Sequence, residues 1–79
     1  KDNENRNNKV YPNPFTNFII LNSFSEIEKI TLLDETGRII LHQNITDNKI
    51  NTQFLKSGLY ILKIQNRNGT EKIEKLIKK

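Results

Sequence analysis

Side chains able to do chemistry are sparse in this sequence. His42 is the single histidine, and cysteine is absent. A histidine-activated nucleophile therefore has no thiol to work with, and no serine stands at a recognisable spacing from His42. His42 reads as an ordinary strand residue, at the surface or half buried. The same counts exclude zinc fingers, zinc ribbons, iron–sulfur sites and disulfide scaffolds within these 79 residues. Asp34, Glu35, Asp47 and Asn48 carry oxygens that suit calcium, but not at the alternate positions of a calcium loop. Turn chemistry accounts for Asp34 and Asp47. The nearest approach to the paired carboxylates of glycoside hydrolysis is Asp34–Glu35 or Glu71/Glu74. These fall in turns and on outward faces, and so small a domain has no cleft across which to oppose them. Gly37, Gly58 and Gly69 lie too far apart to build a phosphate loop. Two Asn-x-Thr sequons, Asn44-Ile45-Thr46 and Asn68-Gly69-Thr70, are unremarkable among twelve asparagines. No catalytic residue, metal ligand or cofactor is expected.

Charge and aromatic content narrow the partners. Thirteen Lys and Arg face nine Asp and Glu, for a net charge of +4. The basic residues are scattered except at the end, where Lys72, Lys75, Lys78 and Lys79 gather. A nucleic-acid binder would collect its charge on one face and interleave stacking aromatics, so no nucleic-acid partner is expected. The aromatics are Tyr11, Phe15, Phe18, Phe24, Phe54 and Tyr60. Core and turn packing claims most of them, which leaves a sugar-binding platform short of rings. Apolar runs reach only four residues, as in Phe18–Leu21, far below the ~20 needed to span a bilayer. No charged start followed by an apolar stretch marks a secretory leader.

The elements that would position any surface are strands. Isoleucine and asparagine each occur twelve times. Ile is β-branched and favours strands, whereas Asn favours turns. Lys1–Asn8 holds no apolar residue and reads as a flexible leader or linker, with the folded domain spanning 9–79. Val10-Tyr11-Pro12-Asn13-Pro14 reads as a short edge strand entering a rigid turn, because proline cannot donate to a ladder. Strands follow at Phe18–Asn22, with Ile19 and Leu21 on one face, and at Ile27–Asp34. Asp34-Glu35-Thr36-Gly37-Arg38 is a hairpin signal, with Asp accepting backbone N–H groups and Gly free to take positive φ. Arg38–Gln43 returns, Lys49–Asn51 is a short strand, and Thr52–Gly58 is a bend. Gly58 opens the strongest strand, in which Tyr60, Leu62 and Ile64 share one face. Asn68-Gly69 predicts a two-residue type I′ turn into Thr70–Ile77. That last segment also matches a helical pattern at Ile73, Leu76 and Ile77, but the turn favours strand. The predicted core is Ile19, Leu21, Ile30, Leu32, Ile40, Ile50, Leu55, Tyr60, Leu62 and Ile64. About seven short strands with regular turns predict an all-β, immunoglobulin-like antiparallel β-sandwich.

Taken in order, these residues resemble a known family. Tyr11 with Pro12-Asn13-Pro14 is followed by Ile19 and Leu21, then by Ile30-Thr31-Leu32-Leu33-Asp34 with Gly37-Arg38. Ile50-Asn51-Thr52 and Leu55-Lys56-Ser57-Gly58-Leu59-Tyr60 come next, and Lys75-Leu76-Ile77-Lys78 closes the series. The series is similar to the type A C-terminal sorting domain of the type IX secretion system, or Por secretion tail, of Bacteroidota. The likeness covers Val10–Lys79. Asn17 stands where such domains often carry Asp, and Thr52 where Ser is usual.

The resemblance implies a non-catalytic sorting signal joined covalently to an upstream cargo. It implies passage through the periplasm and recognition by an outer-membrane translocon. Removal by a sortase-like protease would follow, with the cargo secreted or kept at the cell surface. It points to Lys75, Leu76, Ile77, Lys78 and Lys79 as the recognised end. An edge strand there, with free backbone groups, would suit addition to a receptor sheet. Lysines also protect strand edges from aggregation, the competing role. The alternative is a structural or carbohydrate-binding accessory module of immunoglobulin-like or fibronectin type. A spacer is followed by further sequence and a sorting tail is not, so the K-L-I-K pattern is expected to close the native chain.

Overall fold

The computed structural model describes residues 9–22 and 24–79. The expected linker at 1–8 lies outside the described residues. Seven strands follow one another: β1 (Val10–Tyr11), β2 (Phe18–Leu21), β3 (Ile27–Asp34), β4 (Ile39–Asn44), β5 (Lys49–Asn51), β6 (Gly58–Asn66) and β7 (Glu71–Lys78). A 3-10 turn, Phe24–Glu26, leads into β3. The strands form two antiparallel sheets, one ordered β1-β2-β5 and the other β4-β3-β6-β7. The fold is the all-β sandwich that the strand pattern predicts, and the last segment is strand throughout.

Alternation decides which side chains enter the core. In β2, Ile19 and Leu21 are buried while Phe18 turns outward. In β6, Tyr60, Leu62 and Ile64 are buried and Lys63 is exposed. Ile30 and Leu32 of β3, Ile50 of β5 and Leu55 in the bend before β6 are buried as expected. Ile40 departs from the expected set and is only half buried. A β-bulge pairs Leu32 with Leu41 but Leu33 with Ile39, which removes Ile40 from strict alternation. Four core residues escaped the periodicity: Phe15, Ile27, Ile45 and Leu76. Phe15 and Ile45 sit in connections, where no repeat of two exists to reveal them. Phe15 is nonetheless fully buried, with its ring edge-on to Tyr60 at a centroid distance of 6.1 Å.

Two hairpins frame the four-stranded sheet. At 34–38, the Gly37 N–H donates to the Asp34 carbonyl at 2.9 Å and the Asp34 N–H to the Arg38 carbonyl at 3.0 Å. Gly37 takes φ +90°, as a type I turn with a glycine bulge requires. The second hairpin corrects the expected two-residue turn at Asn68-Gly69. Gly69 N–H donates to the Asn66 carbonyl and Asn66 N–H to the Thr70 carbonyl, so the loop holds three residues, 67–69. Only Gly69, at φ +95°, needs the left-handed region in that geometry. The Asn68 carboxamide oxygen then accepts from the Thr70 N–H and hydroxyl, at 3.0 and 2.7 Å.

Candidate functional site: the C-terminal strand and the segment that clasps it

β7 lies at the edge of the larger sheet and pairs with β6 along its length, from Gly58 opposite Lys78 to Gln65 opposite Glu71. Its side chains split by parity. Lys72, Glu74, Leu76 and Lys78 face the sandwich interior; Glu71, Ile73, Lys75 and Ile77 face outward. The five residues expected to form the recognised end therefore do different work. Leu76 is core, at 1% exposure. Lys75, Ile77 and Lys79 are exposed. Lys78 is buried at 8% exposure.

The Lys78 ammonium is held by two carbonyls. It donates to Thr16 O and, at 2.8 Å, to Thr52 O, and it lies 5.9 Å from the centre of the Phe15 ring. Thr52 is itself fully buried, and its hydroxyl donates to the same Thr16 carbonyl at 3.0 Å. The Thr52 N–H reaches Asn17 O at 2.9 Å, and the Leu55 N–H returns to Thr52 O at 3.1 Å. One lysine thus ties the end of the chain to the segment before β2 and to the bend after β5. The flexible stem lets the charge cross from one sheet to the loops of the other.

The Pro12-Asn13-Pro14 segment clasps the outer edge of β7. Phe15 bridges Lys78 in parallel, with the Phe15 N–H donating to Ile77 O at 2.8 Å and the Lys79 N–H to Phe15 O at 2.9 Å. The Asn13 carboxamide mimics a further strand residue. Its oxygen accepts from the Ile77 N–H at 3.0 Å, and its nitrogen donates to Lys75 O at 3.3 Å. These partners are 64 and 62 residues apart in sequence. The finding corrects the expectation of free backbone groups over 75–79: that stretch of the edge is already occupied. Several of the remaining motif residues make local contacts. The Tyr60 hydroxyl donates to Lys56 O at 2.8 Å, and Gly58 opens β6 opposite Lys78. The Asp34 carboxylate accepts from the Thr36 hydroxyl and from the N–H groups of Thr36 and Arg38, at 2.6 to 3.0 Å. The Thr36 hydroxyl first, then the Arg38 N–H, hold its pKa below the ordinary carboxylate value; burial opposes them. His42 is exposed and shares a 2.8 Å hydrogen bond with Thr31.

The opening and closing motifs of the sequence pattern are thus in direct contact, as one structural unit. A family model described as the secretion system C-terminal sorting domain matches residues 9–79. This chain belongs to that family. The sorting domain is a type IX secretion signal at the C-terminus of exported proteins. No curated protein matches the chain. Among solved structures it is similar to PorZ of Porphyromonas gingivalis, described as an essential bacterial surface component of the type IX secretion system. The TM-score is 0.69 at 17% identity, over 99% of this chain and 12% of that one. At that identity the likeness speaks for the fold. The accessory-module alternative is not favoured. Among the described residues no group of three His, Cys, Asp or Glu could hold a metal ion, and no helix is long and apolar enough to cross a membrane.

Proposed function

We propose that the sorting domain is read in its folded state, through the outward face of β7 at Lys75, Ile77 and Lys79. Leu76 and Lys78 serve that surface from inside. The contact between Asn13 and the β7 edge carries this reading, because the clasp presents the last residues at fixed spacing on a sheet. Lysines flanking an exposed isoleucine offer charge and an apolar contact together.

In this reading the domain is linked covalently to an upstream cargo and catalyses nothing itself. It holds no cofactor and binds no nucleic acid. The polar stretch 1–8 is the tether, and a sortase-like protease cuts the tail away after recognition by the outer-membrane translocon. Polar, exposed tethers are where proteolysis concentrates. The cargo passes through the periplasm and ends at the cell surface or outside.

The test is a reporter carrying an inner-membrane signal peptide and residues 1–79, exported in a host with the secretion machinery. Lys75→Glu, Ile77→Thr and Lys79→Glu together are expected to leave the domain folded and the reporter trapped in the periplasm. Undiminished export of that folded triple variant would overturn the assignment.

A further inference from the structure

The backbone of β7 has an outer edge, and only part of it is clasped. The hydrogen bonds at Lys75 O, Ile77 N and O, and Lys79 N show that odd-numbered residues turn their backbone groups away from β6. By the period of two, Glu71 and Ile73 do the same. Among the described residues nothing pairs with the edge from Glu71 to the Lys75 N–H. Ile73 stands there 60% exposed. An open edge of this kind is a template for another strand.

The charges along it select which strand. Glu71-Lys72-Ile73-Glu74-Lys75 reads acid, base, neutral, acid, base. Laid antiparallel on itself about Ile73, it sets Glu71 against Lys75 of the second copy and Lys72 against Glu74, with every charge opposed. Centring on Glu71 or Lys75 puts like charges face to face. Centring on Lys72 or Glu74 sets like charges against each other at the closer, non-hydrogen-bonded position, and a two-fold axis between residues opposes outward backbone groups with inward ones. A parallel, in-register copy stacks every like charge. Register is thus fixed by charge and by hydrogen-bond parity together.

We infer that this edge is a two-fold self-association site, joining the four-stranded sheets of two sorting domains into one. Four backbone hydrogen bonds form: two between the paired Ile73 residues, and one from each Lys75 N–H to the Glu71 carbonyl of the other copy. The Lys72–Glu74 ion pair already present at 3.2 Å becomes half of a ring of four alternating charges. Pairing stops where it must. Beyond Glu71 the second copy turns away through its Asn68-Gly69 loop, at the point where Asn13 begins its clasp. So small a contact is weak and falls in the transient class, below ~1,200 Å².

Sedimentation equilibrium of the full 79-residue chain, over a concentration series into the millimolar range, reads the association directly. The native chain is expected to approach twice its monomer mass as concentration rises, less so at high salt. Lys75→Glu is expected to weaken pairing roughly tenfold, and the double swap Glu71→Lys with Lys75→Glu to restore it. Because the double variant keeps the same composition, its recovery separates pairing from folding. Ile73→Cys is expected to oxidise to a covalent dimer, since hydrogen-bonded antiparallel partners lie ~5.5 Å apart at Cα. Lys63→Cys, opposite Ile73 on β6, is expected to stay monomeric. A native chain monomeric throughout the series would overturn the inference. So would association indifferent to Lys75→Glu, or equal crosslinking at 63 and 73.

Discussion

Lys78→Met separates the terminal lysines by role. Methionine keeps the length of the buried stem and removes the ammonium. Two charge-assisted hydrogen bonds are lost, to Thr16 O and Thr52 O, each worth ~1.5–3 kcal/mol. The cation over the Phe15 ring goes as well, about 0.5–1 kcal/mol. Two effects act the other way. Neither carbonyl is orphaned, because Thr16 O still accepts from the Thr52 hydroxyl and Thr52 O from the Leu55 N–H. The cost of keeping a charge from water also disappears, and that cost is several kcal/mol for a buried ion. The net destabilisation is about 2 kcal/mol, which in a domain of this size lowers Tm by ~8–16 °C. Lys75→Met, on the outward face, is expected to stay within ~0.5 kcal/mol of the parent. Thermal unfolding followed by far-ultraviolet circular dichroism measures both variants. If Lys78→Met melts with Lys75→Met, the buried ammonium does not hold the sheets together and the reasoning fails. The comparison bears on the proposed reading, in which a Lys78 variant is expected to lose export by loosening the fold and a Lys75 variant to lose it while folded.

Asn13→Ala removes both side-chain bonds to the β7 edge. It is expected to cost about 1 kcal/mol and to speed amide exchange at Ile77 more than at Leu62; equal exchange at both would contradict the clasp. Asp34 has its pKa depressed by the Thr36 hydroxyl and the Arg38 N–H, so its contribution is full above the ordinary carboxylate pKa, about 3.9. That contribution fades as pH falls through the lower folded value; Asp34→Asn is therefore expected to flatten the acid limb of a stability–pH curve, and an unchanged limb would refute the turn assignment. Tyr60→Ala is expected to cost ~3–5 kcal/mol, as large aromatic truncations do. Tyr60→Phe loses only the hydroxyl bond to Lys56 O, about 1 kcal/mol, and urea titration ranks the two; a parent-like Tyr60→Ala would mean the ring is not core.

Local chemistry was legible where its signal is local. Alternation assigned Ile19, Leu21, Ile30, Leu32, Leu62 and Ile64 to the interior, because a strand half buried against a second sheet must alternate. The Asp34–Arg38 hairpin followed from side chains acting on their own backbone. The Asn68-Gly69 turn was visible as a turn but not in its length: Asn-Gly suits a type I′ turn with both residues at positive φ and equally a three-residue loop with Gly69 alone there, and strand register chooses between them. Ile40 failed as core because a bulge is invisible to a count of two.

The sequence by itself determined a small all-β domain. The order of its motifs carried the resemblance to the sorting family. Only the tertiary structure decided what the terminal residues do. Contacts spanning 62 and 64 residues leave no periodic trace, so nothing local reveals that Asn13 completes the edge of β7. Nor does composition distinguish Lys78, buried against carbonyls from two loops, from Lys75 and Lys79, which remain in water. Identical side chains took different roles because strand parity and sheet closure, rather than residue type, set which of them meets solvent.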